Sequence, residues 1–250
     1  MTQPQDPLFD LRGKVALVTG GSRGLGLEMV RAFAARGADI VIASRKIENC
    51  EAAAEEVRAM GRRALAVGAH VGKWDGCDAL VEAAYAHFGR VDILVNNAGM
   101  GPHVPSADVS EQLYDSVLNL NLKGPFRMAS LVGPRMMAGD GGVIINISSV
   151  AAFVPMPGTV PYAAAKAGLN AMTRSLAHEF APKVRVYSIA AGPFLTDISK
   201  AWSEDKRETA DNALGRPGKP EEIVTAALFL ASPHSSFVTG HVLRVDGGVA

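Results

Sequence analysis

Seven short apolar runs, separated by amphipathic stretches, leave this chain few ways to fold. They are KVALVTG (14–20), ADIVIASR (38–45), RALAVGAHV (63–71), VDILVNNAG (91–99), GGVIINISS (141–149), VRVYSIAAG (184–192) and HVLRVDGG (241–248). Most are apolar at both odd and even positions, the pattern of strands covered on both faces in a parallel sheet. The stretches Leu25–Arg36, Ile47–Gly61, Cys77–Phe88 and Glu221–Ala231 carry helical periodicity. Strand alternating with helix predicts right-handed βαβ units. The expected fold class is therefore α/β: a doubly wound, seven-stranded parallel sheet flanked by helices. The chain has 250 residues, enough for one such domain over 11–250 behind a flexible tail at 1–10. One segment breaks the rhythm. Residues 193–217, PFLTDISKAWSEDKRETADNALGRP, are polar with scattered Phe194, Leu195, Ile198, Trp202 and Leu214. An insertion at the carboxyl end of a strand borders the ligand in such folds. A substrate lid of one or two short helices is expected there, with a peripheral elaboration or an oligomer contact as the alternative.

Charge narrows the partners. Lys plus Arg and Asp plus Glu number 25 each, so the net charge is zero. Nucleic acid and anionic membranes favour concentrated positive charge, and neither is expected as a partner. Cys50 and Cys77 form no Cys-x-x-Cys pair, and the six histidines show no His-x-x-x-His spacing. Reduced thiols and no metal site are expected. The start MTQPQDPLFD lacks the basic residues and apolar run of a signal peptide, and no apolar run approaches the length of a membrane span. A cytoplasmic enzyme or binding protein is the expectation.

The first strand runs into TGGSRGLGLEMV, where Gly20, Gly24 and Gly26 are spaced G-x-x-x-G-x-G around Ser22, Arg23 and Leu25. Glycines at a strand-to-helix turn let backbone approach a pyrophosphate at a helix N-terminus. No Lys-Ser or Lys-Thr follows, which disfavours a nucleotide triphosphatase loop. The second strand ends in Ser44 and Arg45, where an NAD site carries Asp or Glu for the ribose 2′-hydroxyl. Ser44, Arg45 and Arg23 instead suit a 2′-phosphate, since a guanidinium binds it bidentately. NADP(H) is therefore preferred over NAD(H), which stays possible.

Farther along, TVPYAAAKAGLNAMTRSLA places Tyr162 and Lys166 four residues apart, one turn apart on one helix face. A free phenol has a pKa of about 10, too high for a base at neutral pH. Lowering it by about three units needs roughly 4 kcal/mol, and a neighbouring ammonium in a partly closed site is expected to supply much of it.

Taken in order, TGGSRGLG, NNAG (96–99), NLKG (121–124), ISS (147–149), YAAAK (162–166), RPGKPEEI and VTGHVLRVDGG resemble the short-chain dehydrogenase/reductase family over Lys14–Gly248. The resemblance implies a single-domain Rossmann fold and a tetrad of Asn121, Ser149, Tyr162 and Lys166. Ser149, thirteen residues before Tyr162, is preferred to Ser148, which would face the other way along a strand. By the same resemblance Tyr162 passes a proton to or from the reacting oxygen and Ser149 hydrogen-bonds it. Lys166 holds the nicotinamide ribose and Asn121 holds a water. The implied cofactor contacts are Gly20, Ser22, Arg23, Gly24, Leu25, Gly26, Ser44, Arg45, His70, Val71, Asn97, Ala98, Gly99, Ile147, Tyr162, Lys166, Gly192, Phe194 and Thr196. The chain departs from the family pattern at His70, where Asp is common, at Tyr187, where Asn is usual, and at Ala191, where Pro is usual. These last two bear on geometry near the nicotinamide.

The implied function is oxidoreduction: hydride transfer between NADP(H) and a small-molecule carbonyl or secondary alcohol, in a homotetramer. The pocket is expected between Met100–Ser106, Ala151–Thr159 and the 193–217 segment, with Phe153, Met156, Phe194 and Trp202 making it apolar and His103 at its edge. 3-Oxoacyl, sugar-acid and steroid-like substrates all stay open. So do an NAD(H)-dependent alcohol dehydrogenase, a non-catalytic dinucleotide-binding protein and a sugar-nucleotide epimerase.

Overall fold

All seven apolar runs become strands of one parallel sheet: β1 (Val15–Thr19), β2 (Asp39–Ser44), β3 (Ala64–Gly68), β4 (Ile93–Asn96), β5 (Gly142–Ser149), β6 (Val184–Ala191) and β7 (Val242–Val245). The computed structural model describes residues 6–196, 199 and 203–250. Strand order is β3-β2-β1-β4-β5-β6-β7, with every pairing parallel. The helices are α1 (Gly24–Ala35), α2 (Ile47–Ala59), α3 (Trp74–Phe88), α4 (Glu111–Leu118), α5 (Gly124–Ala138), α6 (Val160–Glu179), α7 (Glu204–Glu208) and α8 (Val224–Ala231). Alternate strand residues feed two separate cores, because successive side chains point to opposite faces. Ala16, Val18, Ile40 and Ile42 join Met29, Phe33, Val57 and Leu228 on one face. Leu17, Val41, Leu94 and Ile144 join Leu80, Met128, Val132 and Leu176 on the other.

The order reverses between β1, which pairs β2, and β4, which pairs β5. The carboxyl ends of strands at such a reversal form a crevice where ligands bind. Both the glycine turn and the NNAG turn open there. Helices α4 and α5 run on through a π-helical turn, Asn119–Lys123, which carries Asn121. A π turn widens the helix locally and re-aims one side chain, a device frequent at functional sites.

One expectation changes. Of the predicted flexible tail, residues 6–10 are docked. Pro7–Phe9 forms a 3-10 turn capped by the Asp6 carboxylate, the Ser232 hydroxyl donates to Leu8 O, and Phe9 packs on the core beneath the Arg36 guanidinium. Proline and a capping carboxylate favour such a turn, and Phe9 gains an apolar seat. The 193–217 segment leaves the sheet and returns through a bridge between Phe194 and Gly218. Its far end is tied down, with Ala213 N donating to Gly248 O and Leu214 N to Gly247 O. Ile198 and Trp202 lie outside the described residues. Among the described residues no helix is long and apolar enough to cross a membrane.

Candidate active site

The glycine turn is shaped by what its glycines lack. Gly20 has φ +65°, a left-handed conformation open to glycine. A Cβ on Gly26 would lie 2.3 Å from Gly20 O and 2.5 Å from Asn97 Nδ2, so the turn folds against bare backbone. Thr19 and Asn97 stitch this turn to the one after β4. Asn97 N and Ala98 N donate to Thr19 Oγ1 at 3.0 and 3.1 Å, and Asn97 Nδ2 donates to Thr19 O and Gly20 O at 3.0 and 3.1 Å. The Asn97 side chain is thus committed to bracing the turn. Arg23 precedes α1 without capping it by its side chain, which leaves the helix N-terminus facing the crevice. Across the crevice, a Cβ on Gly24 would meet the Thr196 side chain at 3.5 Å. Gly192 packs against Asp246.

At the end of β2, Ser22 Oγ donates to Ser44 Oγ at 3.0 Å, and Ser44 Oγ lies 3.0 Å from the buried Cys50 thiol. Arg45 is exposed beside them and has no ion pair among the described residues. Ser22 and Ser44 are thus joined at the end of β2, where Arg45 follows. His70 does not open to a ligand through its Nδ1, which accepts Gly72 N at 3.2 Å and shapes the entry to α3. Val71 is buried, with its carbonyl against Gly124 and the Cys77 thiol. Leu25 packs partly on the core. Phe194 needs correction as a pocket wall. Its ring is buried in the core and lies over Gly218, because the bridge at the base of the 193–217 segment turns it inward.

The reactive group forms where β5, α6 and the π turn meet. The Ser149 hydroxyl faces the Tyr162 phenol, whose pKa it holds down, and accepts Ala151 N at 3.2 Å. Ser148 faces away, donating to Lys166 O at 3.4 Å. Lys166 is 3% exposed and donates from Nζ to Ile147 O at 2.7 Å, with Nζ 5.5 Å from the Tyr162 ring centre. Asn121 is fully buried, and its Nδ2 donates to Met100 O at 2.8 Å and Val117 O at 2.9 Å. Its Oδ1 has no partner. A Cβ on Gly99 would lie 2.8 Å from that oxygen and 3.6 Å from Lys166 Nζ, so the two groups converge beneath Gly99. A Cβ on Gly101 would lie 3.2 Å from the Tyr162 ring, so the loop after β4 lies flat on the phenol.

The electrostatics reverse one expectation. Burial pushes the Tyr162 phenol above its ordinary value, and the Ser149 hydrogen bond only partly offsets this. Burial also brings the Lys166 amine down from 10.5 to about 7. A desolvated ammonium with one carbonyl acceptor is only partly charged at neutral pH, so it does not make the tyrosine acidic in this state of the chain. Tyr187 also sits elsewhere than expected. Its ring is buried in the core under β6, and its hydroxyl meets Arg185, Ser235 O and Val238 O, away from the crevice. Position 187 faces the α1 and α8 side, opposite the Ser188 side that meets α6. The pocket loops join each other: Val104 N donates to Gly158 O at 2.7 Å, and the His103 ring packs over Gly158. Phe153 and Met156 are exposed there, while Trp202 is among the residues not described.

Several residues of this arrangement escape sequence reasoning: Thr19, Gly101, and the polar line Asn96, Asn146, Thr173 and Ser188. A polar residue inside each otherwise apolar run was the available signal.

A parallel sheet with a bare-backbone turn at its reversal, and a Ser–Tyr–Lys group beside that turn, defines a dinucleotide-dependent oxidoreductase. The chain belongs to the short-chain dehydrogenase family, whose model matches residues 14–207. It is 38% identical to the 3-oxoacyl-acyl-carrier-protein reductase FabG of Thermotoga maritima, over 96% of this chain and 98% of that protein. Its structure is similar to a 7α-hydroxysteroid dehydrogenase complexed with NADH and 7-oxo glycochenodeoxycholic acid. The TM-score is 0.93, at 33% identity over 98% of this chain and 97% of the other. A blue fluorescent protein from a metagenomic library, in complex with NADPH, matches with a TM-score of 0.91. Its identity is 38%, over 96% of this chain and 99% of the other.

Proposed function

We propose that this oxidoreductase reduces a ketone or aldehyde with NADPH, or runs the reverse oxidation, with Tyr162 as the proton donor to the reacting oxygen. The observation that carries the reading is Tyr162, packed beneath Gly101 with buried Lys166 Nζ 5.5 Å from its ring centre and Ser149 facing its phenol, at the mouth of the glycine-lined crevice. The crevice suits a dinucleotide: Gly20 and Gly26 leave backbone bare at the N-terminus of α1, and the unpartnered Asn121 Oδ1 and Lys166 Nζ converge beneath Gly99. A nicotinamide held there supplies the hydride.

The chain's own groups then have separate tasks. Ser149 donates a hydrogen bond to the substrate oxygen and orients it. Tyr162, kept protonated by its raised pKa, gives its proton to that oxygen as negative charge develops. Lys166 offers its remaining amine hydrogens to ribose hydroxyls, and Asn121 Oδ1 takes a water that reprotonates the amine. In the oxidative direction each step reverses, and the phenolate then needs a fully charged Lys166. Arg45, with the Ser22–Ser44 pair, supports a 2′-phosphate and hence NADP(H) over NAD(H). Exposed Phe153 and Met156 support an apolar carbonyl substrate. A cytoplasmic homotetramer belongs to the same reading, with the exposed Phe229 and Phe237 rings as support for the assembly.

A panel of ketones, aldehydes and secondary alcohols, followed at 340 nm with NADPH and NADH in parallel, tests this reading. Turnover with NADPH and its loss in Tyr162→Phe are expected. Near wild-type turnover in that variant removes Tyr162 from the proton-donor role.

A further inference from the structure

The interface between β5 and α6 contains a line of buried polar side chains that the reaction does not use. Asn96 Nδ2 on β4 donates to Asn146 Oδ1 on β5 at 2.9 Å, and Asn146 Nδ2 donates to Thr173 Oγ1 on α6 at 2.9 Å. Thr173 Oγ1 commits its own proton to Leu169 O at 2.8 Å. Ser188 Oγ on β6, 2.8 Å away, is therefore the donor in their shared bond. None of the four side chains belongs to a residue more than 3% exposed. A hydroxyl has one proton and two lone pairs, and all three of Thr173's are used, on three different elements.

Most of this interface is apolar, with Ile144, Leu176 and Val186 in one cluster. Apolar contact is non-directional and sets how closely a helix lies on a sheet. Hydrogen bonds are directional and set where along the strand it lies. Asn146 is three residues before Ser149, about 10 Å along the strand. Thr173 is seven residues after Lys166, about 10 Å along the helix. The polar line therefore sits a matching distance below the reactive groups on both elements. Above it, β5 and α6 share only the 3.4 Å bond from Ser148 and the Lys166 Nζ bond to Ile147 O.

We infer that Thr173, held by Asn146 and Ser188, is a positioning residue that sets the slide of α6 on β5 and so brings the Tyr162 phenol to the Ser149 hydroxyl. The inference rests on the roles proposed above for Tyr162 and Ser149. The test is steady-state reduction of phenanthrenequinone by NADPH, with NADPH affinity measured separately by fluorescence titration. Thr173→Val keeps the shape and removes the hydroxyl. Its kcat is expected to fall about tenfold or more, since misplacement by about 1 Å costs up to about 100-fold. NADPH affinity is expected to stay within about twofold, because the glycine turn is untouched. Thr173→Ser is expected to restore most of kcat, and Ser188→Ala to fall between.

Wild-type kcat in Thr173→Val overturns the inference. So does equal impairment in Thr173→Ser, or a loss of kcat matched by loss of NADPH affinity, which marks general loosening. If Thr173→Val does not accumulate folded, Ser188→Ala carries the same comparison with Asn146 still bound. A readout without turnover separates this inference from the reaction itself. Protein labelled with 3-fluorotyrosine, with Tyr162 assigned by the Tyr162→Phe variant, reports the phenol's titration by fluorine NMR. Its midpoint is expected to rise in Thr173→Val as the Ser149 hydroxyl draws away from the phenol, and an unchanged midpoint overturns the inference. A wild-type protein that reduces no carbonyl refutes the proposed reaction, while this titration still decides the positioning role.

Discussion

Lys166→Met should make the cofactor-free protein more stable at pH 6 while abolishing turnover. Lys166 is 3% exposed, its acceptor among the described residues is Ile147 O at 2.7 Å, and burial brings its pKa from 10.5 to about 7. That fall of roughly 3.5 pH units corresponds to about 5 kcal/mol of disfavoured charging. Methionine has a similar length and carries no charge. It also leaves the Ile147 carbonyl unpaired, which costs about 1–3 kcal/mol. The net expected gain is roughly 2–4 kcal/mol. The pH dependence is the sharper part. Below about pH 7 the amine is protonated in both folded and unfolded wild type, and its disadvantage is complete. Between about 7 and 10.5 the unfolded chain holds a proton that the native chain has released. Wild-type stability therefore rises with pH there, relative to the variant, by up to about 1.4 kcal/mol per unit. The variant's advantage should be level near pH 6 and vanish near pH 9. Urea unfolding of both proteins, followed by circular dichroism at equal concentration from pH 6 to 9.5, measures the difference. A difference that does not change with pH would refute the assignment of Lys166 as a buried, desolvated amine.

Three further outcomes are expected. Tyr162→Phe should lower kcat by about 100-fold or more while NADPH affinity is kept, because the ring still packs against Gly101 and only the proton is lost; steady-state kinetics and fluorescence titration separate the two. Arg45→Ala should weaken NADPH binding by about 1.5–3 kcal/mol and leave NADH nearly unchanged, since the lost bond is to a charged phosphate; parallel calorimetric titrations read this, and equal effects on both cofactors would remove Arg45 from the 2′ site. Gly26→Ala should weaken binding of both cofactors together, because its Cβ would lie 2.3 Å from Gly20 O and the turn must shift; unchanged affinity for both would contradict the proposed cradle.

Much of this was legible in the residues. Runs such as VIIN and VALVT are apolar at both parities because both faces of the sheet are covered, and they mark the strands well. The Tyr162–Lys166 spacing was legible because helical geometry puts positions four apart on one face. The choice of Ser149 over Ser148 came from the family's spacing to Tyr162, with strand alternation setting the two apart; in the structure Ser148 Oγ donates to Lys166 O and Ser149 Oγ accepts Ala151 N. Phe194 was misjudged because an apolar side chain beside a crevice serves pocket or core equally well on paper. Its bridge to Gly218 turns it inward. Tyr187 was misjudged for a similar reason, since its depth below the crevice depends on what Arg185 and the 235–238 loop offer its hydroxyl.

By itself the sequence determined the alternation of elements, the open backbone at Gly20 and Gly26, and the pairing of phenol and amine on one helix face. Those properties are local: they depend on residues within a turn or a strand of one another. Tertiary structure alone decided that Ser149 meets Tyr162, that Asn97 braces the glycine turn, and that Thr173 joins three elements. It also decided the charge state of the site. Proximity in sequence predicted an acidic tyrosine beside a full cation, but desolvation comes from segments distant in the chain that exclude water together. Around Lys166 and Tyr162 that exclusion outweighs the helical neighbour, raising the phenol and bringing the amine to about 7.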